Sequence, residues 1–156
     1  KAHVEAPVLG SMILASILLK TGGYGLLKVL SLSSVTLPPF MTSFILFMIF
    51  LASVLCFLQT DLKKFIAYSS ITHMTIILAL AISEYVHFRV GSIFLMISHG
   101  VLSNSLFFLV GLFSMESLSR LLYKQSNLML TNPVLWFSAM MVLFLNAGTP
   151  PSVALV

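Results

Sequence analysis

The length of the apolar runs constrains this chain more than any other feature. Four runs, at 8–30, 40–58, 62–82 and 90–113, are each about as long as the roughly 20-residue helix that crosses a bilayer core. A fifth, at 133–148, is shorter. Strands that span a membrane alternate in polarity over segments of about ten residues. These runs are longer and continuously apolar, so they are read as helices. Only 8% of the residues are charged, against about 25% in soluble domains. A mean hydropathy of +1.10 leaves too little polar surface to cover a water-soluble globule. The expected fold is all-α: a polytopic transmembrane bundle with about four full spans and a broken half-helix, the whole of 1–156 being one piece of a membrane domain. The half-helix is expected to break at Gly148-Thr149-Pro150-Pro151, because paired prolines remove backbone donors and clash with the preceding turn.

In such a chain a net charge of +4 reports orientation before it suggests nucleic acid, and no nucleic-acid partner is expected. Alternate connectors lie on the same side of the membrane. One side carries Lys1, Lys63, Lys64, Arg120 and Lys124, and the other carries Lys28 and Arg89. Five against two puts the first side inside, and the first span then runs from inside to outside. These connector charges are read as solvated. One cysteine, Cys56, can form neither an internal disulfide nor a thiolate metal site. The chain opens at Lys1-Ala2-His3 with no initiator Met and no signal-peptide pattern, and is read as a fragment or one product of a split gene.

Three ionisable residues sit at membrane depth. Lys20 lies about twelve residues into the first span, roughly 18 Å along the helix axis. A lysine at that depth costs about 2.5–3.5 kcal/mol on insertion scales. It could snorkel to an interface, sit in a structural ion pair, or bind and release a proton. His73 and His99 lie near the middle of the third and fourth spans, each with hydroxyls on its face. Ser69 accompanies His73, and Ser92 and Ser103 accompany His99. Each histidine could be interhelical glue or part of a hydrated relay, since imidazole titrates near neutral pH and has two distinct nitrogens. No H-x-x-H or H-E-x-x-H metal spacing occurs. His3 and Glu5 mark the inside end of the first span, as a proton input or a polar helix start, and Pro7 suits a first helical turn. His87 is read as solvated. Gly22, Gly23 and Gly25 permit close helix approach or a local break.

Several of these residues fall in a pattern. The segments Lys1-Ala2-His3-Val4-Glu5-Ala6-Pro7, Gly10-Ser11-Met12, Leu18-Leu19-Lys20 and Gly22-Gly23-Tyr24-Gly25 resemble the eighth-helix region of the NADH dehydrogenase (ubiquinone) subunit 4 family. These are antiporter-like proton-pumping subunits of mitochondrial respiratory complex I. Thr60-Asp61-Leu62-Lys63 and Ile66-Ala67-Tyr68-Ser69-Ser70-Ile71-Thr72-His73-Met74 resemble the family's tenth-helix motif. Ser98-His99-Gly100 resembles its eleventh, and Gly148-Thr149-Pro150-Pro151-Ser152 the break in its twelfth. The resemblance covers essentially the whole chain, from about the eighth to the twelfth helix.

The resemblance implies roles. Lys20 would be the central proton carrier, His73 and His99 part of a midplane relay, and His3 a residue near the matrix-side input. The implied activity is proton translocation within NADH:ubiquinone oxidoreductase, in the mitochondrial inner membrane. No cofactor or redox centre is expected in this chain, so quinone reduction and electron transfer would occur in partner subunits. Expected partners are membrane lipid, the other membrane-arm subunits, and the missing parts of the same subunit. Those parts would supply the fifth-helix glutamate, the seventh-helix lysine and the twelfth-helix glutamate. Two alternatives remain: a subunit of a multisubunit sodium/proton antiporter, and a scaffold half of a split subunit.

Overall fold

The computed structural model describes residues 2–32, 38–83, 85–125 and 128–149. Lys1, most of the first connector and the Pro150-Pro151 pair lie outside the described residues. The chain begins with a short helix, α1 (Ala2–Glu5). Pro7 does not occupy a first helical turn. It caps the second helix with an extended ψ of 162°, so it separates α1 from the first span. That span runs Val8–Leu32 as α2 (Val8–Ile13), a π-helical turn at Leu14–Leu18, and α3 (Leu19–Leu32). α4 (Pro39–Phe57), α5 (Leu62–Ile82) and α6 (Val86–Ser117) are the other long helices. A 3₁₀ turn (Leu122–Gln125), α7 (Leu128–Thr131) and α8 (Pro133–Asn146) complete the described chain. Among the described residues, four helices are long and apolar enough to cross a membrane, and α8 is shorter. The protein is an all-α membrane bundle.

Two boundaries differ from the sequence reading. α6 takes in residues read as connector at both ends, because nothing from Val86 to Ser117 interrupts backbone pairing. At about 48 Å it is longer than a bilayer core is thick. Arg89 is therefore helical, and its Nε donates to the Ser83 carbonyl at 3.0 Å. α8 stops at Asn146, and Gly148 takes a left-handed φ of 82°. The Gly148 N–H reaches the Leu145 carbonyl and the Thr149 N–H the Phe144 carbonyl, which is a Schellman closure. The helix therefore ends in a glycine cap before the prolines.

α6 is the central helix. It packs on α5, α8, α2 and the π turn, while α4 lies on the far side of α5. Lipid supplies no hydrophobic drive between helices, so small residues that allow close approach carry the packing. Ser11, Ala15, Ala52, Ala81, Ser92, Ser98, Ser103 and Ala139 are all buried. The apolar centre joins Ala15, Ile66, Leu106, Phe107 and Val110. Larger apolar side chains such as Phe47, Phe50 and Phe137 point outward. Cys56 is buried, with its Sγ 3.4 Å from the Phe65 carbonyl.

One end of the bundle is latched. The Leu62 N–H donates to the Arg120 carbonyl and the Leu122 N–H to the Thr60 carbonyl, both at 3.0 Å. This antiparallel bridge joins the α4–α5 connector to the segment after α6. Asn132, at the head of α8, donates to the Glu116 carboxylate.

Candidate functional site

The π turn sets the geometry of the first span. An α-helix would give the Ala15 carbonyl to the Leu19 N–H. Here that N–H reaches the Leu14 carbonyl, five residues back. The Ala15 carbonyl accepts from Lys20 Nζ at 2.9 Å instead. Single π turns of this kind are frequent at functional sites. The Lys20 side chain thus stays at the level of the turn, half-buried, rather than extending toward an interface.

Its second partner is His99, with Lys20 Nζ and His99 Nδ1 2.8 Å apart. Gly100 leaves room for the approach: a Cβ there would lie 3.5 Å from Lys20 Cε and 3.6 Å from the Ser16 carbonyl. His99 is 4% exposed. Its ring stacks on His73 from α5, with centroids 5.0 Å apart and planes 30° apart. Lys20, His99 and His73 therefore form one continuous cluster built from three spans. Among the described residues, Lys20 bonds only Ala15 and His99, so the ion-pair and snorkelling readings have no support there.

The cluster has a defined proton chemistry. A charged Lys20 donates to an unprotonated His99 Nδ1. If the proton crosses, His99 Nδ1–H donates back to a neutral amine. The hydroxyls that share these faces are otherwise occupied. Ser69, Ser92 and Ser103 donate to the Ile66, Arg89 and Gly100 carbonyls of their own helices, which leaves only acceptor lone pairs free.

His3 does not join the cluster. It stacks on the buried Phe107, with centroids 5.4 Å apart and planes 8° apart. Its Nδ1 is buried with no hydrogen-bond partner among the described residues. Burial holds the imidazole below its ordinary value of 6.5, and the Lys63 and Lys20 charges push it further down. A cleft of about 550 Å³ between the first span and α5 is lined by His3, Lys64 and Tyr68 and by Leu19, Gly22 and Gly23. The glycines do not break the helix. Gly23 makes a close approach, since a Cβ would lie 2.9 Å from Met96 Sδ, whereas Gly22 and Gly25 have nothing within 4 Å. His87 is exposed.

One residue was read wrongly from the sequence. Lys63 is not solvated. It is 2% exposed, and its ammonium donates to the Ala6 carbonyl. Lys63 and Lys64 point about 100° apart on the helix at 3.6 residues per turn, so one can turn inward while the other keeps a solvated face. Lys64 takes that face and pairs with Asp61 at 3.1 Å.

The description "NADH:quinone oxidoreductase/Mrp antiporter, TM" matches residues 1–156. The chain belongs to this family. Among its relatives, the NADH-ubiquinone oxidoreductase chain 4 of Strongylocentrotus purpuratus is 43% identical over 162 residues, covering 100% of this chain and 35% of that one. Those of Artemia franciscana and Ascaris suum are each 41% identical, over 97% and 99% of this chain and 39% and 38% of theirs. The chain thus spans a little over a third of the length of these relatives. In this chain the matched region holds the five apolar helices described and the Lys20–His99–His73 cluster.

Proposed function

We propose that this chain is part of a proton-translocating membrane subunit of respiratory complex I, NADH:ubiquinone oxidoreductase, in the mitochondrial inner membrane. The observation that carries the reading is the 2.8 Å contact between Lys20 Nζ and His99 Nδ1, extended by the stack on His73. Lys20 is the carrier. It passes a proton to His99 Nδ1, and His99 releases one from Nε2 toward His73 through a water or a ring rotation. His3 receives protons at the inside end, beside a cleft that runs along the first span past Leu19. Electron transfer and quinone reduction take place in partner subunits of the complex. They drive the relay by changing the field at Lys20. Moving one charge through 100 mV costs about 2.3 kcal/mol, a scale that a modest electrostatic change at a buried amine can meet. The relatives' name favours this reading over the antiporter branch of the family.

The test is Lys20→Ala in the assembled complex, with proton pumping measured per NADH oxidised in sealed vesicles. NADH oxidation without pumping, or loss of both together, is the expected result. Wild-type pumping would sink the proposal. Pumping that requires sodium would move the chain to the antiporter branch.

A further inference from the structure

Lys63 takes no part in the relay, yet it is the most completely buried cation among the described residues. Its ammonium reaches across 57 positions in sequence to the Ala6 carbonyl. That carbonyl stands at the break between α1 and α2, where Pro7 contributes no N–H and the backbone is extended. Arg120 works on the same turn, its Nη1 donating to the Val4 carbonyl at 3.3 Å. The Arg120 carbonyl meanwhile accepts from the Leu62 N–H at 3.0 Å. Two cations, one from the start of α5 and one from the segment after α6, therefore hold the Ala6 and Val4 carbonyls at one short turn, and that turn carries His3.

We propose that Lys63 and Arg120 are positioning residues for His3, holding the α1 turn so that its imidazole stays stacked on Phe107 beside the cleft. This rests on the proton-translocation reading above. Two observations distinguish positioning from simple packing. A lysine held by a single backbone carbonyl is a costly way to fill space, because an apolar side chain would do so without desolvating a charge. The Lys63 charge is also near enough to act on His3. The charges that act on His3 are the amino terminus, Lys63 of α5 and Lys20 of the first span, and Lys64 and Tyr68 of α5 line the same cleft, with Glu5 on its own turn and Arg120 beside Lys63. Removing Lys63 takes away a positive neighbour, so the affinity of His3 for a proton rises. His3 must be neutral to accept a proton, so the acid limb of pumping moves to higher pH.

The experiment uses the assembled complex in sealed vesicles, with pumping per NADH measured across pH for K63M, K63R, R120Q and H3Q/K63M beside wild type. In K63M the ratio should fall by roughly tenfold or more, the scale reached when a reacting group is misplaced by about 1 Å. Its acid limb should move up by roughly one unit, the usual spread that surroundings impose on histidines. K63R should restore both. H3Q/K63M should show no further movement of the limb relative to H3Q alone. R120Q, at an exposed side chain, should lower the ratio in the same direction. K63M complex with wild-type ratio and limb, even at reduced abundance, overturns the assignment. If K63M does not assemble, R120Q decides: an unchanged ratio in R120Q overturns it, and a lowered one supports it. If Lys20→Ala keeps pumping, the underlying reading fails first. If Lys20→Ala loses pumping while K63M and R120Q keep it, only the positioning role fails.

Discussion

At the scale of single residues, the candidate site depends on one absent side chain. Gly100 faces Lys20 with just enough space for a methyl group, since the Cβ contacts would be 3.5 and 3.6 Å. Gly100→Ala should therefore leave pumping close to wild type. Gly100→Val adds two further methyls on a stiff β-branched side chain. It should push Lys20 off His99 and lower pumping on the order of tenfold to a hundredfold, the range tied to displacements of about 1 Å. The pair is read by pumping per NADH in assembled complex. Equal loss in Ala and Val would show that the position matters for something other than room for Lys20. Lys20, His99 and His73 were legible in the sequence because ionisable groups are rare at membrane depth and stand out by position alone. Lys63 was not. It lies at the edge of an apolar run, where a charge is ordinarily solvated, and only its partner Ala6, 57 positions away, reveals its burial.

At the scale of elements, the π turn decides which way Lys20 points. Leu14–Leu18 contains one residue more than an α-helical path between its ends would need. Ile17 faces outward and makes no polar contact of its own side chain. Deleting it should restore α-helical pairing through the turn while the two halves of the span keep their relative rotation, because the turn is where the extra residue is absorbed. The Ala15 carbonyl then returns to a backbone N–H, and Lys20 loses that acceptor and keeps only His99. The expected outcome is complex that assembles in reduced amount and oxidises NADH without pumping. Native electrophoresis and the pumping ratio check it, and normal pumping in the deletion would show that the π turn does not aim Lys20. The sequence offers no warning of this turn. Leu14-Ala15-Ser16-Ile17-Leu18 reads as ordinary apolar helix, and the irregularity lies in which carbonyl each N–H selects. Span lengths were far easier to read, because bilayer thickness imposes them directly. The ends were harder, as α6 shows by running past both of the boundaries expected for it.

At the scale of the whole molecule, the bundle is polarised. The latch brings Thr60 and Leu62 against Leu122 and Arg120, and Arg120 reaches Val4, so the start of the chain, the α4–α5 connector and the segment after α6 share one end. That end holds Lys63, Lys64, Arg120 and Lys124. Arg89, at the opposite end of α6, and Lys28, near the far end of the first span, belong to the other. The alternation counted from sequence is thus the arrangement the contacts require. On the proposed function the basic-rich end is the matrix side, because positive charge is retained on the inner side during insertion. Lys124 and Lys28 are both exposed, which makes them suitable reporters. With Cys56 replaced by Ser to remove the native thiol, Lys124→Cys should react with a membrane-impermeant maleimide only when the matrix face is accessible, and Lys28→Cys only when the opposite face is. The reverse pattern would invert the bundle. His3 would then open to the wrong compartment for an input, and the relay would have to run from the α3 end of the first span instead. Labelling of both cysteines from one side would contradict the successive crossings by α4, α5 and α6 that separate them, and with those crossings the spans themselves.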